Sequence, residues 1–177
     1  MTVGLLIGHT PDEKGATHPG TQIQEWDFNF PLVQRVHRAL DDSKIILRGR
    51  PNDWGGLPSR VNESGVDVCV SFHLNAYKGD AKGSEVLCWP DDRSVELANA
   101  LQTQIVLALG TRDRGVKTRT EGRGSHLLEH TEMDLAIVEP FFIDDQLQSL
   151  AGRMEDLAKA YIRAIRDFQS EYGPLYD

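Results

Sequence analysis

A chain of 177 residues, 40% hydrophobic and 26% charged, suits one domain whose core is large enough to need no crosslinks. With 27 acidic against 19 basic residues and a net charge of −8, it lacks the clustered cations of a sequence-independent grip on nucleic acid, and it is not drawn to anionic lipid or wall polymers. Its apolar runs fall short of the roughly 20 residues that cross a bilayer, so no membrane span is expected.

In chain order, Val3–Ile7 is a short apolar run broken by Gly8, which suits a buried strand entering a loop. The loop from Gly8 to Gly20 is rich in Gly, Pro, Asp and Thr. From about Glu25 to Leu40 the apolar positions Val33, Val36 and Leu40 follow helical spacing. Lys44–Leu47 reads as a second strand and Leu57–Ser64 as a short helix ended by Gly65. Val66–Phe72, β-branched and bounded by turns, is the third strand and Gly83–Trp89 the fourth.

Asp91 or Asp92 then caps a helix whose buried stripe is Val95, Leu97, Ala98, Leu101, Ile105 and Leu109, with Gly110 ending it. Thr111–Ser125 reads as a polar loop rich in Gly and Arg. Leu135–Phe142 is the last strand, and Gln146–Phe168 a closing helix. Strands alternating with helices predict an α/β fold. We expect one domain over residues 1–177, with a mostly parallel, mixed central sheet and helices on both faces.

Cys69 and Cys88 lie in apolar strand-like runs and read as buried free thiols rather than a disulfide. The opening residues MTVGLLIGHT show no basic segment and no small-residue cleavage site, which predicts synthesis in the cytoplasm without a signal peptide. A monomer is the expected state.

Reactive groups of α/β sheets gather on loops beyond the carboxyl ends of strands. His9 follows the first strand, His73 follows the third, Glu139 ends the last apolar run, and Glu25 opens the first long helix. Two imidazoles and a carboxylate, with one position open, form a common catalytic zinc set, and a second carboxylate then serves as general base and acid. Spacing alone also allows blander roles. A histidine after a strand is often structural, and a glutamate in a first helical turn complements the helix dipole. Glu139 resists such a reading, because it interrupts LAIVEPFFI and carboxylates are rarely buried unpaired. His18 and Asp27 are weaker rivals to Glu25 as third ligand. His126 and His130, four apart, would share a helix face, but HLLEH reads better as strand or turn, and His37 as surface or packing.

The motifs IGHT, EWDFN, VSFHLNA and GSEV, followed by LEHTEMDLAIVEPFFIDD, occur in the order found in the zinc-dependent N-acetylmuramoyl-L-alanine amidases of the Amidase_3 type. The chain resembles that family from about Val3 to Leu150. It departs from the family where Thr10 and Pro11 follow His9, and at Phe141 and Asp145. The resemblance implies that His9, Glu25 and His73 bind one Zn²⁺ and that Glu139 is the catalytic carboxylate. It also implies a substrate, the peptidoglycan amide between the lactyl group of muramic acid and the L-alanine of the stem peptide. Asn75 in SFHLNA is a candidate substrate contact. Arg112, Arg114, Lys117, Arg119 and Arg123 concentrate positive charge in one segment, which reads equally as a solvated loop or, through Arg119 and Arg123, as a clamp for stem-peptide carboxylates. The expected setting is a phage or prophage endolysin that reaches the wall after the membrane is permeabilised. The rival readings are a zinc carboxypeptidase or related amidohydrolase, and a non-catalytic wall-binding protein.

Overall fold

A computed structural model describes residues 1–49 and 55–173. The strands are β1 (Val3–Ile7), β2 (Ser43–Leu47), β3 (Val68–Phe72), β4 (Ser84–Cys88), β5 (Asp113–Thr118) and β6 (Asp134–Glu139). The helices are α1 (Glu25–Ala39), α2 (Leu57–Glu63), α3 (Asp92–Leu109), α4 (Ser125–His130), α5 (Ile143–Leu150) and α6 (Met154–Tyr172), with a 3₁₀ turn at Ala151–Arg153 before α6. The strands form one sheet in the order β2-β1-β3-β6-β4-β5. All neighbours are parallel except β4 and β6, which run antiparallel. The expected α/β fold with a mixed, mostly parallel sheet is what the chain adopts.

Strand alternation sorts the core into two layers. Leu5, Val70, Phe72, Val86 and Val138 pack with α1, α3 and α6, while Leu6, Cys69, Leu87, Leu135 and Ile137 pack with α2 and α4. Helices therefore cover both faces. The central strands β1, β3 and β4 are buried along their whole length, which is why β1 and β3 read as largely apolar runs. Asp91 caps α3 by accepting from the Ser94 N–H at 2.9 Å, and Gly110 closes it in the left-handed conformation at φ 63°.

Four sequence expectations are corrected. Thr111–Ser125 is not all loop, because Asp113–Thr118 forms the edge strand β5 against β4. Its sequence DRGVKT is almost wholly polar, as an exposed edge tolerates. HLLEH is helical and buries Leu127 and Leu128 on the smaller layer, not a strand or turn. The last strand stops at Glu139, before Pro140, and the closing helix is two helices broken at the 3₁₀ turn that carries Gly152.

Cys69 and Cys88 are buried and free. They point into opposite layers, and β6 lies between their strands, so no disulfide can span them. Burial pushes the Cys69 thiol up to about 12. Both thiols are expected to resist a thiol reagent in the folded protein and to react fully in denaturant. Labelling of either under native conditions would contradict its burial.

Candidate metal centre and active site

The site begins with strand register. Ile7 of β1 pairs with Phe72 of β3, so His9 and His73 emerge side by side beyond the carboxyl edge of the sheet. Their rings stand 5.2 Å apart between centroids at 75°. Glu25 reaches them from the first turn of α1. Its Oε1 accepts from Ala16 N–H at 2.9 Å and its Oε2 from Leu74 N–H at 3.0 Å, which pins the carboxylate between the first loop and the end of β3. Glu25 Oε2 then lies 3.3 Å from His9 Nε2 and 3.6 Å from His73 Nδ1. Burial opposes ionisation of Glu25, but its bonds to His73 and His9 and their charge outweigh it and hold the carboxyl well below the usual range.

These three side chains each offer one donor atom, all within 4.8 Å of one another, and they are the one such group among the described residues. Two imidazoles with an ionised carboxylate suit zinc, and the backbone makes room for them. A Cβ at Gly8 would stand 2.0 Å from His73 Nε2, and a Cβ at Gly15 would stand 2.7 Å from His9 Nε2 and 2.9 Å from Glu25 Oε1. Gly15 also has φ +83°, which favours glycine. The residues fit a bound metal.

Glu139 closes β6 and sits directly across from Glu85 of the antiparallel β4. It is 3% exposed. Its Oε2 accepts from Asn75 Nδ2 at 2.7 Å and from the Arg123 guanidinium at 2.6 Å. Burial pushes the carboxyl up to about 8, with the Arg123 charge opposing and the Glu85 charge adding to the rise. Glu139, Arg123 and the three metal-directed side chains all line one cavity of about 470 Å³, whose walls include Leu74, Leu87 and Ile137.

The other candidates separate cleanly. His18 is buried, but its Nδ1 accepts from Gly20 and Thr21 N–H and so braces the first loop. Asp27 accepts from Gln24 N–H at the start of α1 and pairs with Lys14. His37 meets Ser43 at 2.8 Å, away from the cluster. His126 lines the cavity, with the His130 ring 4.4 Å from its own, and neither joins the donor group. Asn75 and Arg123 both reach the site, where carboxylates engage them. Arg119 follows β5, donates its backbone N–H to Cys88 O at 2.9 Å, and does not line the cavity.

The sequence reading overlooked Glu85. It is 5% exposed and bonded to Arg114 Nε at 2.8 Å, Asn75 Nδ2 at 2.9 Å and Arg123 at 3.4 Å. The signal was present, since SEVLC breaks an apolar strand with a carboxylate just as LAIVE does.

The sequence profile of the N-acetylmuramoyl-L-alanine amidase family matches residues 3–167. The N-acetylmuramoyl-L-alanine amidase LytC of Bacillus subtilis (strain 168) is 31% identical over 151 residues, which cover 80% of this chain and 29% of LytC. The chain thus spans under a third of that relative's length. A crystal structure of N-acetylmuramoyl-L-alanine amidase from Clostridium difficile 630 superposes with TM-score 0.82 at 23% identity, over 97% of this chain and 98% of that one. The catalytic domain of CwlV, the corresponding amidase of Bacillus (Paenibacillus) polymyxa var. colistinus, gives 0.79 at 19%, covering 96% and 99%. The catalytic domain of the CD27L endolysin targeting Clostridia difficile gives 0.77 at 21%, covering 94% and 97%. At those identities the structural likeness speaks to fold, while the profile match spans nearly the whole chain and takes in His9, Glu25, His73, Glu85 and Glu139. The chain belongs to the N-acetylmuramoyl-L-alanine amidase family of enzymes.

Proposed function

We propose that this protein, with residues 1–177 as one catalytic domain, hydrolyses the amide between the lactyl group of N-acetylmuramic acid and the L-alanine of the peptidoglycan stem peptide. We assign His9, Glu25 and His73 as the ligands of one zinc ion and Glu139 as the catalytic carboxylate. The observation that carries this reading is that the three donor atoms and Glu139 open into the same cavity.

Zinc bound there supplies Lewis acidity toward the scissile carbonyl and lowers the pKa of water to about 7. Glu139 takes the proton of the attacking water and returns it to the departing alanine amine. A carboxyl pushed up to about 8 suits both halves of that cycle, because a proton carrier works best when its affinity lies near the working pH. Leu74, Leu87 and Ile137 exclude bulk water and leave apolar space for the lactyl and alanine methyl groups.

Digestion of purified peptidoglycan followed by mass spectrometry tests the bond cleaved. The expected products are intact stem peptides with a free N-terminal alanine, beside uncut glycan. Peptides shortened from the carboxyl end would make the enzyme a carboxypeptidase, and wall binding without release would make it a binding protein. Chelation is expected to abolish activity and added Zn²⁺ to restore it; activity indifferent to a chelator would overturn the metal assignment. The setting we propose is a phage or prophage endolysin, supported by the fold shared with an endolysin's catalytic domain. Expression in the host is then expected to cause lysis only when the membrane is permeabilised.

A further inference from the structure

The antiparallel pairing of β4 with β6 sets two buried carboxylates, Glu85 and Glu139, directly opposite each other. Like charges so placed repel, and two carboxylates sharing one site do not both ionise without compensation. The compensation here is lopsided. Asn75 Nδ2 divides itself between the two, at 2.9 Å to Glu85 and 2.7 Å to Glu139. Arg123 bridges both, at 2.6 Å to Glu139 and 3.4 Å to Glu85. Glu85 alone receives a second guanidinium, that of Arg114 at 2.8 Å, which also lies over the Phe142 ring at 5.1 Å.

We propose that Glu85 is a positioning residue for the reaction: with Asn75 and Arg123 it forms a clamp that fixes the Glu139 carboxyl, and by its own negative charge it makes that carboxyl the proton carrier of the pair. The inference rests on the role given to Glu139 above. Environments that drive two neighbouring carboxyls apart mark one as permanently ionised and the other as the acid–base. Burial raises Glu85, but the bond and charge of Arg114 prevail and hold it below the usual range, whereas Glu139 is pushed up to about 8. The charged or titratable groups around Glu139 are Glu85 from β4, Arg123 from the segment before α4, Glu25 from α1, and the imidazoles of His9, His73 and His126 around the cavity. Among these, Glu85 and Arg123 both bond to it and pull its proton affinity in opposite directions.

That opposition supplies the test, made on holoenzyme with its zinc content confirmed. Removing the Glu85 charge in Glu85→Gln is expected to move the acid limb of the kcat/KM pH profile down by about one pH unit. In the same variant kcat falls about tenfold, with little change in KM, because the Glu139 carboxyl loses the neighbour that helps hold its orientation. Arg123→Gln is expected to move the limb up by about one unit. Glu85→Asp, which keeps the charge, restores most of the wild-type profile. NMR titration of the Glu139 carboxyl, assigned by its loss in Glu139→Gln, follows the same two shifts without relying on turnover. A wild-type profile in Glu85→Gln, or shifts of one sign in both variants, overturns the proposal. If Glu85→Gln does not fold, Arg123→Gln decides it alone, because Arg123 is more than half exposed and a profile that fails to rise sinks the clamp. Should Glu139→Gln retain turnover, the assignment of Glu139 falls and this inference with it. Should Glu139→Gln be inactive while Glu85→Gln keeps the wild-type profile, only the inference falls.

Discussion

Glu139→Gln is expected to keep one zinc per chain and to lose about a thousandfold in kcat. The substitution preserves volume, and it leaves in place His9 and His73, which follow β1 and β3, and Glu25, which opens α1. What disappears is the only proposed group that can take a proton from water and hand it to the amine. Stability moves differently from activity. In the metal-free protein the Glu139 carboxyl is raised from its ordinary 4.5 to about 8. Its contribution to folding is therefore complete below about 4.5 and is lost as pH rises through about 8. The glutamine variant escapes that loss, so its melting temperature relative to wild type rises across the same window. Elemental analysis, initial rates on purified peptidoglycan and thermal melts at several pH values measure all three. A rate within tenfold of wild type would remove Glu139 from the mechanism.

Gly8→Ala is expected to cost zinc affinity at least about a hundredfold, although Gly8 is not itself a ligand. The added methyl would sit 2.0 Å from Nε2 and 2.1 Å from Cε1 of His73, so the imidazole must leave its place. Backbone strain does not enter, because Gly8 is not among the residues with positive φ. The fold is expected to survive, since β1 and β3 keep their pairing and the displaced ring is partly open to solvent. Gly152→Ala, where a Cβ meets nothing within 4 Å, is the matched control and should leave zinc binding unchanged. Competition with a chromophoric chelator reads the affinities. Wild-type zinc binding by Gly8→Ala would mean that the two rings do not gather as described.

The elements whose local pattern and tertiary role agree were legible in the chain. β1 and β3 are central, buried on both faces, and so continuously apolar. α3 carries its own stop and start signals in Asp91 and Gly110. β5 was not legible, because an edge strand with Val116 as its one apolar residue owes its existence to hydrogen bonds with β4, not to any burial pattern. α4 was misread because six residues are too few for helical periodicity to show, and two adjacent leucines fit strand and helix alike. The break between α5 and α6 hid in a segment where both helices keep apolar residues at compatible spacing.

The sequence by itself singled out Glu139, because a carboxylate inside an apolar run violates local rules unless a partner or chemistry explains it, whereas His9, Glu25 and His73 were open to structural roles and gained theirs from the family motifs. It also determined the α/β class and the two buried, unpaired thiols. Only the tertiary structure decided what those residues meet. Register between β1 and β3 sets the two imidazoles together, and the glycines at positions 8 and 15 leave space for them. The reversed strand β4, inserted between β6 and β5, brings Glu85 opposite Glu139 and draws Asn75, Arg114 and Arg123 onto the pair. Strand order and direction are long-range outcomes of how helices cover both faces of the sheet. No window of neighbouring residues encodes them, so the partners of a buried charge remain invisible until the sheet is assembled.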